Sequence, residues 1–326
     1  MLPVAVDAMG GDHAPSEIVA GAQLCIDHGL PVVLVGRPDD IGDTDIEVIP
    51  ASEVIPMDAD PTKSVRTMKD SSLVRAAEAV RDGLASGMVS AGNTGAALTA
   101  ATLRMRRLKG VARPAIATPI TNLSGGTPII LIDAGANVEC SPDLLALFGR
   151  MGAVYTKARY GVDAPRVGLL ANGEEEAKGS PLTKEAFPLL REAEWQEATG
   201  ARFIGNVEGR DLFGDDVDVI VTDGFTGNVA LKTLEGTANM IIAELLKAFD
   251  SSDDARKGAE LLLPALAPLY ERANPDNVGG AALVGVNGIC MISHGSSSAN
   301  AILNAVKAAH ELAESNMVGR LQDALA

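Results

Sequence analysis

Aromatic side chains make up only 3% of the 326 residues. The interior must therefore be built from Ala, Val, Ile and Leu rather than from stacked rings. Cysteine is nearly missing too. Cys25, Cys140 and Cys290 lie far apart in apolar contexts, with no C-x-x-C pair and no metal-ligand spacing. That excludes a disulfide framework and a cysteine-based metal site, and buried thiols in a reducing compartment are expected. Positive charge is scarce: 27 basic residues stand against 43 acidic ones, a net charge of −16. Such a balance argues against general nucleic-acid binding and against purely electrostatic attachment to an anionic membrane. The opening "MLPVAVDAMGGD" has no basic leader, and no apolar run approaches the roughly 18 residues of a membrane span. A cytoplasmic protein is expected. The dinucleotide fingerprint G-x-G-x-x-G, the nucleoside-triphosphate loop G-x-x-x-x-G-K-[ST] and the nucleophile elbow G-x-S-x-G are all missing.

What is present is alternation. Short β-branched runs and helical patterns succeed one another along the whole chain, which predicts an α/β layered fold. The strand candidates are "PVAVDAM", "PVVLVG", "IEVIPA", "GMVSAG", "RPAIATPI", "TPIILIDAG", "PRVGLLANG", "DVDVIVTDG" and "GICMISHG". Ser16 is placed as the cap of one helix, with Gly29 closing it, and Ser141-Pro142-Asp143 as the start of another. No linker divides the chain, so residues 1–326 read as a single α/β catalytic domain with a helical apolar excursion near 254–275.

Several strands end in small or acidic clusters, and ligands of open α/β sheets bind beyond the carboxyl ends of strands. These strand ends are expected to converge on one crevice. Two of them share a Gly-x-Thr-Gly turn, Gly92-Asn93-Thr94-Gly95 and Gly224-Phe225-Thr226-Gly227. Glycines at a strand-to-helix turn expose N–H groups at the positive end of a helix dipole, which makes an anion cradle. Thr94 and Thr226 sit where a hydroxyl either caps the helix or donates to a bound oxyanion. The paired turns also hint at an internal duplication. Lys178, in "NGEEEAKG", is placed to neutralise a phosphate; the alternative is a solvated acidic loop. His13 and His294 lie at strand ends, as proton-transfer candidates or as loop-holding side chains. No acidic residue occurs from Gly83 to Ile132, while Arg104, Arg106, Arg107, Lys109 and Arg113 fall there. A local basic patch on so acidic a chain points to an acidic partner. In "ELLLPALAPLYERANP", Leu261, Leu262, Leu263, Leu266 and Leu269 cannot all face one side of a helix that Pro264 and Pro268 interrupt. The segment reads either as a buried or interfacial hairpin or as an apolar tip that contacts a membrane surface.

In order along the chain, "VAVDAMGGDHAP", "SAGNTGA", "DAGAN", "GLLANGEEEAKG", "GNVEGRD", "VIVTDGFTGNVALK" and "GGAALVGVNGICMISHGSSS" resemble the bacterial phosphate acyltransferases of phospholipid synthesis. One position departs: the family often carries Asn two residues before the Gly of "GEE", where this chain has Ala171 followed by Asn172. The resemblance implies transfer of a long acyl chain from acyl carrier protein to inorganic phosphate, without cofactor, metal or nucleic acid. It implies a three-layer α/β/α fold with a large, mostly parallel sheet, similar to the isocitrate/isopropylmalate dehydrogenases. A homodimer is also implied, loosely attached to the inner membrane beside a membrane glycerol-3-phosphate acyltransferase. On this reading Gly10, Gly11, Gly92, Asn93, Thr94, Gly95 and Lys178 hold phosphate. Thr226 and Gly227, in the second cradle, are counted with the phosphate-binding residues, and the Gly227–Asn228 end is the candidate for the thioester carbonyl oxygen. His13 or His294 moves the proton. Arg104, Arg106, Arg107 and Lys109 dock the carrier, and Leu262, Leu263, Leu266 and Leu269 touch the membrane. The competing readings are a phosphotransacetylase-like enzyme using acyl coenzyme A, a non-catalytic acyl- or phosphate-binding regulator, and a dehydrogenase on the same fold.

Overall fold

The computed structural model describes residues 1–122 and 125–326. Its centre is one sheet of eleven strands. These are β1 (Val4–Asp7), β2 (Val32–Gly36), β3 (Val48–Pro50), β4 (Gly87–Ser90), β5 (Ala115–Ile120), β6 (Ile129–Ile132), β7 (Arg166–Leu170), β8 (Arg202–Val207), β9 (Val219–Val221), β10 (Ala281–Val284) and β11 (Ile289–Ile292). They lie in the order β3-β2-β1-β4-β11-β10-β5-β6-β9-β7-β8. Every neighbouring pair is parallel except β11/β10, β10/β5 and β5/β6. β8 and β10 are the two strands that pattern reading leaves out. β8 contains Gly205 at φ +102°, and β10 is a four-residue run behind Gly279-Gly280.

Alternate residues of each strand enter opposite cores, as the pleat requires. Val4, Val6, Leu34, Val89, Ile130, Leu169 and Val221 face one core, which the helices Ser16–Asp27, Pro142–Tyr160 and Ala299–Glu314 cover. Ala5, Val33, Met88, Leu131, Ile220 and Cys290 face the other, covered by Ser72–Arg81 and Thr94–Ala100. The result is a three-layer α/β/α arrangement. Cys25 and Cys290 are buried as expected, but Cys140 is only half-buried.

The start of the first helix differs from the sequence reading. Ser16 is its first helical residue rather than its cap, and its hydroxyl donates to the His13 carbonyl. Gly29 does take the left-handed conformation, at φ +74°, and Ser141 does cap its helix by accepting from the Leu144 N–H. At Gly21 the first helix meets Ala299–Glu314 so closely that a Cβ would lie 2.6 Å from Ile302 Cβ and 2.8 Å from the Ala299 carbonyl oxygen.

The apolar excursion is longer than expected. Two consecutive helices, Gly224–Phe249 and Asp253–Ala273, form a pair of arms that touch each other. Pro264 and Pro268 sit inside the second helix without ending it. Each removes one N–H donor, and because both are exposed the freed carbonyls can turn to water. Within the first arm only Gly224 and Gly227 are buried. Leu261, Leu262, Leu263 and Leu269 are exposed and Leu266 is half-buried, while Met240, Ile241 and Leu246 are open on the first arm. Among the described residues no helix is long and apolar enough to cross a membrane.

Replacing Gly21 by Ala sets a helix-propensity gain of about 1 kcal/mol against an overpacking cost of roughly 1–3 kcal/mol. One of the clashing atoms is backbone, so the cost wins. Urea unfolding should show Gly21→Ala less stable than the parent.

Candidate active site

Three antiparallel pairs separate the two halves of the sheet, so β1, β4 and β11 run opposite to β6, β9 and β7. Register makes this concrete. Val6, Val89, Met291, Ala282, Ala117, Ile132, Val221 and Leu169 pair in one transverse row. Beyond that row β1 and β4 continue to one edge, and β6, β9 and β7 to the other. Within one chain the polar strand ends therefore divide between two edges and do not converge on one crevice, contrary to expectation.

At the first edge Asp7 is the organiser. It is buried at the end of β1 and accepts from the Met9 N–H and the Ser90 hydroxyl. Ser90 in turn accepts from the Gly92 N–H. A Cβ on Gly10 would lie 2.6 Å from Asp7 Oδ2 and 2.8 Å from Gly92 N, so only glycine allows the two loops this approach. Gly11 takes φ +122° and lies against Gly295, whose carbonyl accepts from the Asp12 N–H. Asn93, not Thr94, caps the helix Thr94–Ala100 by accepting from the Ala96 N–H. The Thr94 and Gly95 N–H groups then have no acceptor among the described residues. His294 Nδ1 accepts from the Ser296 N–H, which places the ring proton of the neutral form on Nε2. His13 is exposed on the same edge.

Asp133 does the same for the second edge. It follows β6 and accepts from the N–H groups of Ile116, Gly135, Ala136 and Asn137 and from the Asn137 amide. Here, though, the Gly-x-Thr-Gly turn is already occupied. Asp223 caps the helix, taking both the N–H and the hydroxyl of Thr226. The Gly224 N–H donates to the Asn137 carbonyl and the Gly227 N–H to the Asp223 carbonyl. A Cβ on Gly227 would sit 2.0 Å from the Asp133 carbonyl oxygen. Thr226 is thus a capping residue and Gly227 a close-packing glycine, not oxyanion donors. Asn228 is exposed and its amide approaches the Ala134 carbonyl at 3.4 Å.

Lys178 belongs to the loop after β7, on the second edge. It is exposed, and its ammonium has no partner among the described residues. Glu174 and Glu176 of the same loop pair instead with Arg210 and Arg191. The expected grouping of Lys178 with Gly10, Gly11 and the Gly92–Gly95 turn is therefore not made within one chain. Asn172 stabilises the loop by accepting from the Gly179 N–H. The basic residues split as well. Arg104 turns inward, donating to the Val65 carbonyl and lying 3.7 Å from Glu78, which removes it from a docking face. Arg106, Arg107, Lys109 and Arg113 remain exposed near the second edge, where Arg107 pairs with Val286.

Asp7 and Asp133 are the residues that sequence reading passed over. The signal was there: each is an acid directly after an otherwise apolar strand and directly before a small residue. Burial raises the pKa of both above the ordinary carboxylate range, against the hydrogen bonds that lower it. A raised folded-state pKa means that the folded chain holds the proton more tightly than the unfolded one. Its stabilising contribution is complete below the unfolded value and is lost as pH rises through the folded one. Asp7→Asn removes that titration, and the hydroxyls facing it can rotate to accept. The stability of the parent relative to Asp7→Asn should fall as pH rises above the ordinary carboxylate range in paired urea titrations; a difference that does not change with pH would overturn this expectation.

The comparisons with known proteins agree over the whole chain. The family described as "Fatty acid synthesis protein" matches residues 2–320. A phosphate acyltransferase from Pelotomaculum thermopropionicum is 44% identical over 99% of this chain and 95% of its own length. Among solved structures, a phosphotransacetylase from Streptococcus pyogenes covers 95% of this chain and 94% of its own, at TM-score 0.63 and 16% identity. A 4-hydroxythreonine-4-phosphate dehydrogenase from Klebsiella pneumoniae covers 96% and 100%, at TM-score 0.55 and 12% identity. The structural likenesses establish the dehydrogenase-like fold.

Proposed function

The chain belongs to this fatty acid synthesis protein family together with its phosphate acyltransferases, its reaction is acyl transfer to phosphate, and we propose that the donor is a long-chain thioester of acyl carrier protein. Phosphate is the nucleophile, so no Ser or Cys needs activation. Burial pushes the Cys140 thiol up to about 11, which leaves it a poor nucleophile at neutral pH.

One observation supports the first edge as the phosphate site. The first edge presents unengaged N–H groups at Thr94 and Gly95 beside Gly10 and Gly11, whereas the second turn holds the Asp223 carboxylate at the same helical position. An anion is favoured at the first and repelled at the second. A phosphate oxygen attacks the thioester carbonyl carbon, the carbon–sulfur bond breaks, and the departing thiolate takes a proton. As the imidazolium, with Nδ1 donating to the Ser296 hydroxyl, His294 can give its Nε2 proton and is the better donor; His13 has no comparable tether among the described residues. A donor aimed at the tetrahedral oxyanion contributes on the order of 3 kcal/mol, a role that the exposed Asn228 amide fits.

Asn228 and Lys178 lie on the second edge, so the complete site requires a second copy of the chain that brings its second edge to the first edge of its partner. The open apolar face of the first arm, which includes Val229, Met240 and Ile241, supplies surface for such pairing. Incubating the protein with palmitoyl carrier protein and phosphate should yield acyl phosphate. Lys178→Ala and Thr94→Pro should each lose most turnover, and a mixture of the two, unfolded and refolded together, should regain a fraction of it. Failure of the mixture to recover would place the site within one chain.

The outer leucines of the second arm serve the same reading. Leu261, at 82% exposure, with Leu262 and Leu263 forms an apolar end suited to a peripheral contact with the inner membrane, where a membrane glycerol-3-phosphate acyltransferase can take the product. Leu262→Glu together with Leu263→Glu should abolish liposome co-flotation and leave turnover of soluble substrate intact. Unchanged flotation would remove this assignment.

A further inference from the structure

A cavity of about 760 Å³ opens where the basic segment meets the second edge. Its floor is apolar, from Leu98, Leu108 and Val111, and its rim carries Arg106, Arg107 and Arg113. None of these three arginines has a carboxylate partner among the described residues; Arg107 donates only to the Ala112 carbonyl. In a chain of net charge −16 with surface ion pairs elsewhere, three guanidinium groups around one cavity without a carboxylate partner among the described residues form a local positive field.

Backbone and side-chain details mark the same place. Arg106 takes φ +70°, a left-handed conformation that a non-glycine residue adopts at a cost, directly after the π-helical turn Ala101–Met105. Thr102, another wall residue, has a buried hydroxyl oxygen with no partner among the described residues. The far wall is Ala136 and Asn137, whose N–H groups Asp133 holds. The cavity therefore runs from a rim of arginines to the loop whose Ala134 carbonyl accepts from the Asn228 amide. Arg113 is close enough to Cys140 to oppose the rise in its pKa, and Cys140 also feels Asp133 and Asp223. The rim and the second-edge loop thus share one electrostatic neighbourhood.

We infer that this cavity binds the phosphopantetheine arm of the thioester donor, its phosphodiester on Arg106 and Arg113, its chain along the Leu108–Val111 wall, and its thioester at the Asn137 loop. The inference rests on the acyl-transfer reading and adds the part of the donor that these arginines recognise. Guanidinium groups suit a phosphodiester because their fixed fork of N–H donors matches its oxygens. An acidic carrier surface would instead call for charges spread over an open face, and here they ring a concave site with an apolar floor. The arginines would then act on any donor that carries the arm's phosphate, whether or not a carrier protein is attached.

That separates the two occupants experimentally. Three palmitoyl thioesters are compared as donors to phosphate: the carrier-protein thioester, the phosphopantetheine thioester and the pantetheine thioester, which lacks the phosphate. A charge-assisted contact contributes roughly 1.5–3 kcal/mol, so losing one raises KM about tenfold or more. Arg106→Ala with Arg113→Ala should raise KM by at least that factor for the first two donors, leave kcat within about twofold, and leave the pantetheine thioester unaffected. Arg113→Lys should restore part of the loss. Calorimetry with phosphopantetheine alone, which needs no turnover, should show binding to the parent that the double variant loses. An effect confined to the carrier-bound donor would assign the arginines to the carrier's surface and overturn the proposal, as would equal effects on all three donors or unchanged calorimetric binding. If the parent makes acyl phosphate from none of the three, the acyl-transfer reading itself fails, which is a different result.

Discussion

A carboxylate without water must be given donors by the protein, and this chain meets that demand twice. Asp7 and Asp133 are each buried at the carboxyl end of a core strand, and each draws in the N–H and O–H groups of loops that would otherwise be independent. Five donors converge on Asp133. A buried donor left unpaired costs about 1–3 kcal/mol, so the loops are held as long as the carboxyl group is in place. The glycines follow from this rather than preceding it. Gly10, Gly224 and Gly227 are needed because a buried aspartate has pulled backbone against backbone. Burial raises the pKa of both acids, against the hydrogen bonds that lower it.

The layers were legible because their signal is local. β-Branched runs such as "VVLVG" and "IILI" specify buried strands wherever they occur, and Ser141-Pro142 marks a helix start without help from the rest of the fold. Strand neighbours are another matter. Which strand lies beside β5 depends on long-range pairing, and β10, which sets the direction of half the sheet, is four residues long. A reading that could not see β10 could not see that the strand ends face two ways. Gly-x-Thr-Gly shows the same limit at the scale of one turn. The two motifs share their glycines and threonine, yet what distinguishes them is the residue that caps the helix: a neutral Asn93 in one, an anionic Asp223 in the other.

Charge behaves in the same local way. The overall excess of acid suggests repulsion of every anionic ligand, and the segment from Gly83 to Ile132 reverses it by omitting acids entirely. Over distances beyond a Debye length of about 8 Å at physiological salt, the distant carboxylates of this surface are screened, and an anion near Arg106, Arg107 and Arg113 responds mainly to them. Of the five basic residues in that segment, Arg104 is the one drawn away, because Glu78 and the Val65 carbonyl lie within its reach.

Three antiparallel junctions in the middle of the sheet carry a consequence of their own. Their number is odd, and parity is a discrete property that no gradual drift can alter. Point substitutions can reshape either rim of the sheet but cannot bring both polar rims to one side. Only gain or loss of an entire central strand such as β5 or β10 could do so, which ties the placement of both rims to those two segments.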